Sequence, residues 1–137
     1  MKYLFIAFFL AISLNTFSQS DSLQTGKVYF IRSIFDLSLK AFKLFIDSTF
    51  VCKLDENRYS VHDVTTGKHF FSVQLAGKKS KKKAERIPID IKTGQSYYIE
   101  LVFQKTAFFP NLYCIEVTEN SALPILNKLK QDNNCKK

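Results

Sequence analysis

The sequence has no tryptophan, one methionine, two histidines, three cysteines, three prolines and four glycines in 137 residues. Each scarcity excludes something. With so little glycine and proline, and with 46% hydrophobic against 23% charged residues, a collagen-like repeat, a disordered chain and a long coiled coil are ruled out. Two histidines and three cysteines leave little material for metal or nucleophile chemistry. The length suits one core and is short for two domains, which argues against a multidomain enzyme. Nucleophile elbows, HExxH and P-loops need spacings that do not occur here. Glu100 and Glu116 could face one another, but charged residues alternating with apolar ones are ordinarily the wet face of a sheet. The expectation is a non-enzymatic protein without a cofactor. What the chain has in quantity is phenylalanine, 14 residues, and positive charge, 20 Lys and Arg against 12 Asp and Glu for a formal net charge of +8.

Lys2 is the one charge in the first twenty residues, and Tyr3 to Leu14 is an apolar run broken only by Ser13. As a helix this run would span roughly 18 Å, short of the roughly 30 Å of hydrocarbon a membrane anchor crosses. A signal peptide over residues 1–18 fits better, because Thr16 and Ser18 place small residues three and one before a cut at Gln19. Cleavage would leave 119 residues with a formal net charge of +7 and no transmembrane anchor. The expected localisation is the periplasm or the cell surface. Residues 19–26 then read as a flexible leader.

From Lys27 onward, short runs of β-branched and aromatic residues alternate with turn residues, an all-β signal. Strands are expected at Lys27–Ser33, Phe42–Asp47, Phe50–Leu54, Arg58–Val64, Lys68–Ala76, around Ile87, Ile89 and Ile91, at Ser96–Phe103 and at Leu112–Thr118. Asp47-Ser48-Thr49 reads as a tight hairpin turn, and Thr65-Thr66-Gly67 as a second hairpin, with Gly67 taking a positive φ. Alternation places Tyr97, Ile99, Leu101 and Phe103 on one face, His69, Phe71, Val73 and Leu75 on another, and Tyr113, Ile115 and Val117 on a third. Covering these faces calls for a two-layer antiparallel β-sandwich of about seven strands, with a small closed barrel as the alternative. Leu123, Ile125, Leu126 and Leu129 are spaced for one side of a C-terminal helix, N-capped by Ser121, with Pro124 in its first turn and packed on the sandwich rim. The domain is therefore expected over 27–131, with a disordered tail over 132–137.

Export puts the cysteines in an oxidising compartment. Cys52 shares a face with Phe50 and Leu54 and reads as a buried hydrophobe; Cys114 shares one with Glu116 and Thr118. A bridge between Cys114 and Cys135 would contribute roughly 3 kcal/mol in the chain-entropy model, and three unpaired thiols are the alternative.

The order KVYFIR, FKLFID with a turn and a strand to Leu54, YSVHDVTTGKH, GQSYYIEL and LYCIEV resembles the bacterial exported domain-of-unknown-function family 2846, over about Lys27 to Lys130. The resemblance implies a small β-sandwich similar to surface-associated PEGA-type modules, and it brings no activity with it. Its most specific parts are Gly67-Lys68-His69 and Gly94 followed by Tyr97-Tyr98, which read as turn and structural residues. Thr66 stands where the family often has Pro, and Ser48 where it often has Gly; the lipid-attachment cysteine common in the family is missing.

Two clusters are candidates for chemistry. His62, Asp63 and His69 on two arms of one hairpin could approach a zinc ion, but the ligand count is short and the register open, so His69 reads as a structural imidazole near the turn, with no metal. Lys78, Lys79, Lys81, Lys82, Lys83 and Arg86 form a basic run, expected as a solvated loop between two strands. If it has a function, it would bind an anionic polymer at the cell envelope, such as lipopolysaccharide or another acidic glycan. Nucleic acid is not the expected partner of an exported protein. The leading expectation is a structural or interaction module that meets an envelope protein.

Overall fold

The computed structural model describes residues 23–33, 41–75, 86–105, 107, 110–132 and 135. The signal segment and the lysines from Lys78 to Lys83 lie outside the described residues.

Among the described residues, nine strands and one helix follow in the order β1 (Thr25–Arg32), β2 (Phe42–Ile46), β3 (Thr49–Leu54), β4 (Arg58–Thr65), β5 (Gly67–Leu75), β6 (Ile87–Ile91), β7 (Ser96–Lys105), β8 (Pro110–Val117), α1 (Glu119–Leu126) and β9 (Lys130–Gln131). They form two sheets, a five-stranded one ordered β8-β7-β1-β4-β9 and a four-stranded one ordered β3-β2-β5-β6. The all-β sandwich expected from alternation is the architecture. Two pairings are parallel, β1 with β7 and β4 with β9, so the larger sheet is mixed. These partners are far apart in the chain, and no tight turn dictates their direction. The first strand begins at Thr25, inside the stretch expected as a leader.

The core between the sheets consists of Val28, Phe30, Phe42, Leu44, Cys52, Leu54, Val64, Phe71, Val73, Ile89, Ile91, Ile99, Leu101 and Cys114. The expected faces of β5 and β7 point into it. That of β8 does not. Leu101 lies opposite Cys114 and Phe103 opposite Leu112, so the inward side of β8 carries Leu112 and Cys114, while Ile115 is exposed. Ile99 lies opposite Glu116, whereas Glu100 lies opposite Ile115. Neighbouring residues point to opposite faces, so the two carboxylates do not face one another.

A second apolar cluster forms on the outer side of the larger sheet, where Ile31 and Tyr98 meet Ala122 of the helix, flanked by Tyr29, Tyr59, Val117, Ile125, Leu126 and Leu129. The helix thus covers a sheet face rather than the rim. It starts two residues before the expected cap: Thr118 is the N-cap, Ser121 lies in the first turn with its hydroxyl 3.0 Å from that of Thr118, and Pro124 falls inside the helix. It ends at Leu126, and the chain turns back to lay β9 along β4, with the Lys130 amide donating to the Asn57 carbonyl and the Asp132 amide to that of Tyr59. The tail expected to be disordered is therefore tied down through Asp132 and again at Cys135.

The Asp47-Ser48 hairpin forms as expected, with φ of 50° and 69° at its two central residues. Two positive φ values in a two-residue loop are the signature of a type I′ turn. Thr65-Thr66-Gly67 is not a hairpin. β4 pairs with β1 and β9, and β5 with β2 and β6, so this segment is an arch carrying the chain from one sheet to the other. Gly67, at φ 124°, makes the bend. Local pattern shows a turn, but whether the strands it joins pair together depends on the rest of the sheet.

Candidate functional site

Sheet alternation puts Lys43, Phe45, Lys53 and Phe70 on the outer face of the smaller sheet, because their neighbours Leu44, Cys52, Leu54 and Phe71 are buried inside. Lys43 and Lys53 are direct cross-strand partners. A bulge after Leu44 sets Phe45 opposite Phe50, whose ring meets it edge-on at 5.9 Å between centroids. Lys68 lies over the ring of Phe70 at 5.7 Å. The result is a face with Lys43 and Lys53 at one end and the phenylalanines, joined by Lys68, toward the other. Phe42 pairs with both Leu54 and Leu75, so β5 enters the lysine-rich segment 76–85 from the end that carries Lys43 and Lys53. β5 and β6 pair antiparallel, as expected for strands flanking that segment. Arg86 departs from the expected solvated loop: its side chain is partly buried, and its Nε is out of solvent without a hydrogen-bond partner among the described residues.

The second site lies inside, along the open side of the sandwich where β3 and β4 face each other from different sheets. Cys52 points inward from β3 and His62 inward from β4, and the tail after β9 brings Cys135 onto them. The disulfide joins Cys52 to Cys135, with Cα atoms 5.0 Å apart, and Cys114 is free and buried. This corrects the expected Cys114–Cys135 bridge. Cys114 faces the core from β8, at the opposite edge of the larger sheet from β9 and the tail, and burial pushes its thiol up to about 12. His62 Nε2 stands 4.0 Å from Cys52 Sγ and shares a 3.0 Å hydrogen bond with the buried Ser60 hydroxyl, while its ring packs edge-on to Phe30. Burial holds the imidazole below its ordinary pKa, against the opposing charge of Asp63. Sγ of Cys52, Sγ of Cys135 and a ring nitrogen of His62 all lie within 4.8 Å of one another.

His69 is elsewhere. Its Nδ1 lies 2.6 Å from Asp47 Oδ2 and its Nε2 is 2.9 Å from the Thr65 carbonyl, so it ties the β2–β3 turn to the β4–β5 arch. Asp47 Oδ1 also accepts from the Phe70 amide. Burial alone would raise the Asp47 carboxyl, and the Phe70 amide together with the His69 hydrogen bond and charge holds it below its usual value instead. The trio of His62, Asp63 and His69 is not assembled: Asp63 is exposed and paired with Lys27 at 3.1 Å. The company of His62 was not visible in the sequence, because Cys135 is 73 residues away along the chain.

Gly94, at φ 72°, turns the chain from β6 into β7. Tyr97 clamps this connection: its hydroxyl donates to the Asp90 carbonyl at 3.0 Å and accepts from the Lys92 amide at 2.9 Å. Such a back-bonded tyrosine at a sheet-to-sheet corner recurs in sandwich folds. Tyr98 lies on the opposite face and donates to Glu119 Oε1 at 3.1 Å, joining the helix to its sheet; burial and then Glu119 raise its pKa. Both hydroxyls are thus engaged within the fold, one at a turn and one at the helix.

No protein-family model, no curated protein and no solved structure matches this chain. Among the described residues, no helix is long and apolar enough to cross a membrane.

Proposed function

We propose that this chain is an exported, non-enzymatic β-sandwich of the bacterial cell envelope that serves as a structural or interaction module. The observation that carries this reading is the Cys52–Cys135 bridge, which ties the tail to the core across 83 residues and which persists in an oxidising compartment. The signal-like segment before Gln19 and the resemblance in order of features to an exported family point the same way. The test is expression of the full chain in a bacterium, followed by fractionation and intact mass. The expected product lies outside the cytoplasm, begins near Gln19 and carries the bridge; a cytosolic product retaining Met1 with all thiols reduced would refute the reading.

A second reading is favoured by the cross-strand pair Lys43 and Lys53. Like charges directly opposite each other on a sheet are destabilising unless something anionic neutralises them. Here they stand at the end of the sheet from which the lysine-rich segment leaves, and together these groups would attract an acidic glycan or lipopolysaccharide by summed Coulomb forces. Replacing Lys78, Lys79, Lys81, Lys82 and Lys83 by Gln is expected to abolish salt-sensitive retention on heparin and leave the melting temperature unchanged. Lys43→Gln with Lys53→Gln should weaken retention and raise the melting temperature slightly. Unaltered retention in both variants would refute this binding mode.

A further inference from the structure

The bridge and its histidine neighbour form a donor set as well as a staple. We infer that, once the bridge is reduced, the thiolates of Cys52 and Cys135 and Nε2 of His62 bind a thiophilic d10 metal ion, zinc or cuprous. Two sulfurs and one imidazole are the soft and borderline donors these ions select, and a Cys2His set with an open fourth position is an established arrangement for zinc.

The geometry is close to what such a site needs. Zn–S and Zn–N bonds of about 2.3 and 2.05 Å at a tetrahedral angle set sulfur and nitrogen about 3.6 Å apart and the two sulfurs about 3.8 Å apart. Cys52 Sγ and His62 Nε2 already stand 4.0 Å apart. The sulfurs have to separate when their bond is broken, and Cys135, partly exposed on the tail, is the one with room to move. Reduction need not release it. β9 pairs with β4 independently of the bridge, and the Asp132 amide holds the Tyr59 carbonyl at 2.8 Å, three residues before Cys135. Both cysteines therefore stay near His62 without a covalent link. Ser60, buried and within 3.0 Å of the same imidazole nitrogen, is placed to hold His62 in the absence of metal and to hydrogen-bond a water in the fourth position in its presence.

The chemistry balances with one external reagent class. A dithiol reductant, such as an exported thiol–disulfide oxidoreductase, gives two electrons and two protons to the bridge, yielding two thiols, and is itself oxidised to a disulfide. Binding of a zinc ion displaces the two thiol protons to solvent, leaving two thiolates and a neutral imidazole on the metal. Metal and bridge exclude one another, because the same sulfurs serve both.

The test uses the full chain, reduced and freed of reductant under anaerobic conditions, with Co2+ as the spectroscopic probe for the zinc site. A 1:1 complex with an intense thiolate-to-cobalt charge-transfer band is expected, bleached by stoichiometric Zn2+. A parallel titration with cuprous ion against a chromogenic cuprous chelator distinguishes the two metals, and tight 1:1 binding of either supports the site. The oxidised chain should bind neither. Cys114→Ala should bind as wild type. His62→Gln keeps both cysteines and forms the bridge, so its fold is checked by the melting temperature of its oxidised form. Its reduced form should bind at least about tenfold more weakly, by comparison with the 10–100-fold losses seen when even outer-shell partners are removed. Failure of both metals to bind reduced wild-type chain, equal binding by the oxidised chain, or undiminished binding by His62→Gln would each overturn the inference. None of these results bears on export, which is read from the location and mass of the product.

Discussion

Removing the Cys52–Cys135 bridge, by Cys135→Ser or by reduction without metal, is expected to lower the melting temperature by roughly 15 °C. The bridge spans 83 residues, and closing a loop of that size restricts the unfolded chain by about 4.5 kcal/mol in the chain-entropy model. Most of the chain lies inside that loop, so the unfolded ensemble as a whole is affected. The same protein makes a sharp prediction for thiol titration. The oxidised native chain should react with a disulfide reagent slowly or not at all near neutral pH, because the free thiol, Cys114, is 3% exposed and its pKa is pushed up to about 12. Denaturant should release one thiol, and denaturant with reductant all three. A peptide map joining Cys114 to Cys135, or a rapidly reacting thiol in the folded chain, would contradict this pairing.

Arg32→Ala is expected to cost about 3 kcal/mol, which for a domain of this size lowers the melting temperature by roughly 10 °C. Arg32 closes β1 inside the protein, 3% exposed, its Nη1 donating to the Leu54 carbonyl at 2.7 Å and its guanidinium carbon 3.7 Å from the centre of the Phe42 ring. Burial lowers its pKa, while Glu56 and Asp55 raise it without cancelling the effect of burial. Truncation to Ala leaves the carbonyl without this donor and opens a void over Phe42. Arg32→Met separates the two contributions. It restores most of the volume and none of the hydrogen bonding, so its loss should be about half that of Ala. Arg32→Lys keeps charge without the planar fork and should fall between wild type and Met. Equal stability of wild type and Arg32→Ala by chemical denaturation would show that this buried contact contributes nothing.

Arg32 is also a place where reading the sequence falls short for a definite reason. It ends a strand beside Ser33, where a charged residue ordinarily faces water, and its burial follows from Leu54 and Phe42 lying across the sandwich, in the other sheet. Cys114 is the same kind of case. Its neighbours on alternate positions, Glu116 and Thr118, make its face look wet, yet those two stand at the end of the strand, where the inward face has reached the rim. Tyr113, Ile115 and Val117 look like the core face because they are apolar, and Val117 is in part covered, but by the helix on the outer side. A strand with cover on both faces gives alternation no preferred answer.

The existence, order and approximate ends of eight strands, most of the apolar interior, the Asp47-Ser48 turn and the bends at Gly67 and Gly94 were all determined by residues close together in the chain, because strand alternation and turn chemistry are local properties. What joins what was decided only in three dimensions. That β4 and β5 separate into different sheets, that β1 runs parallel beside β7, and that Cys135 returns to Cys52 and His62 all depend on partners dozens of residues apart. No local pattern encodes such choices; they are settled by which arrangement of whole strands covers the most apolar surface while pairing the backbone groups left open at each edge.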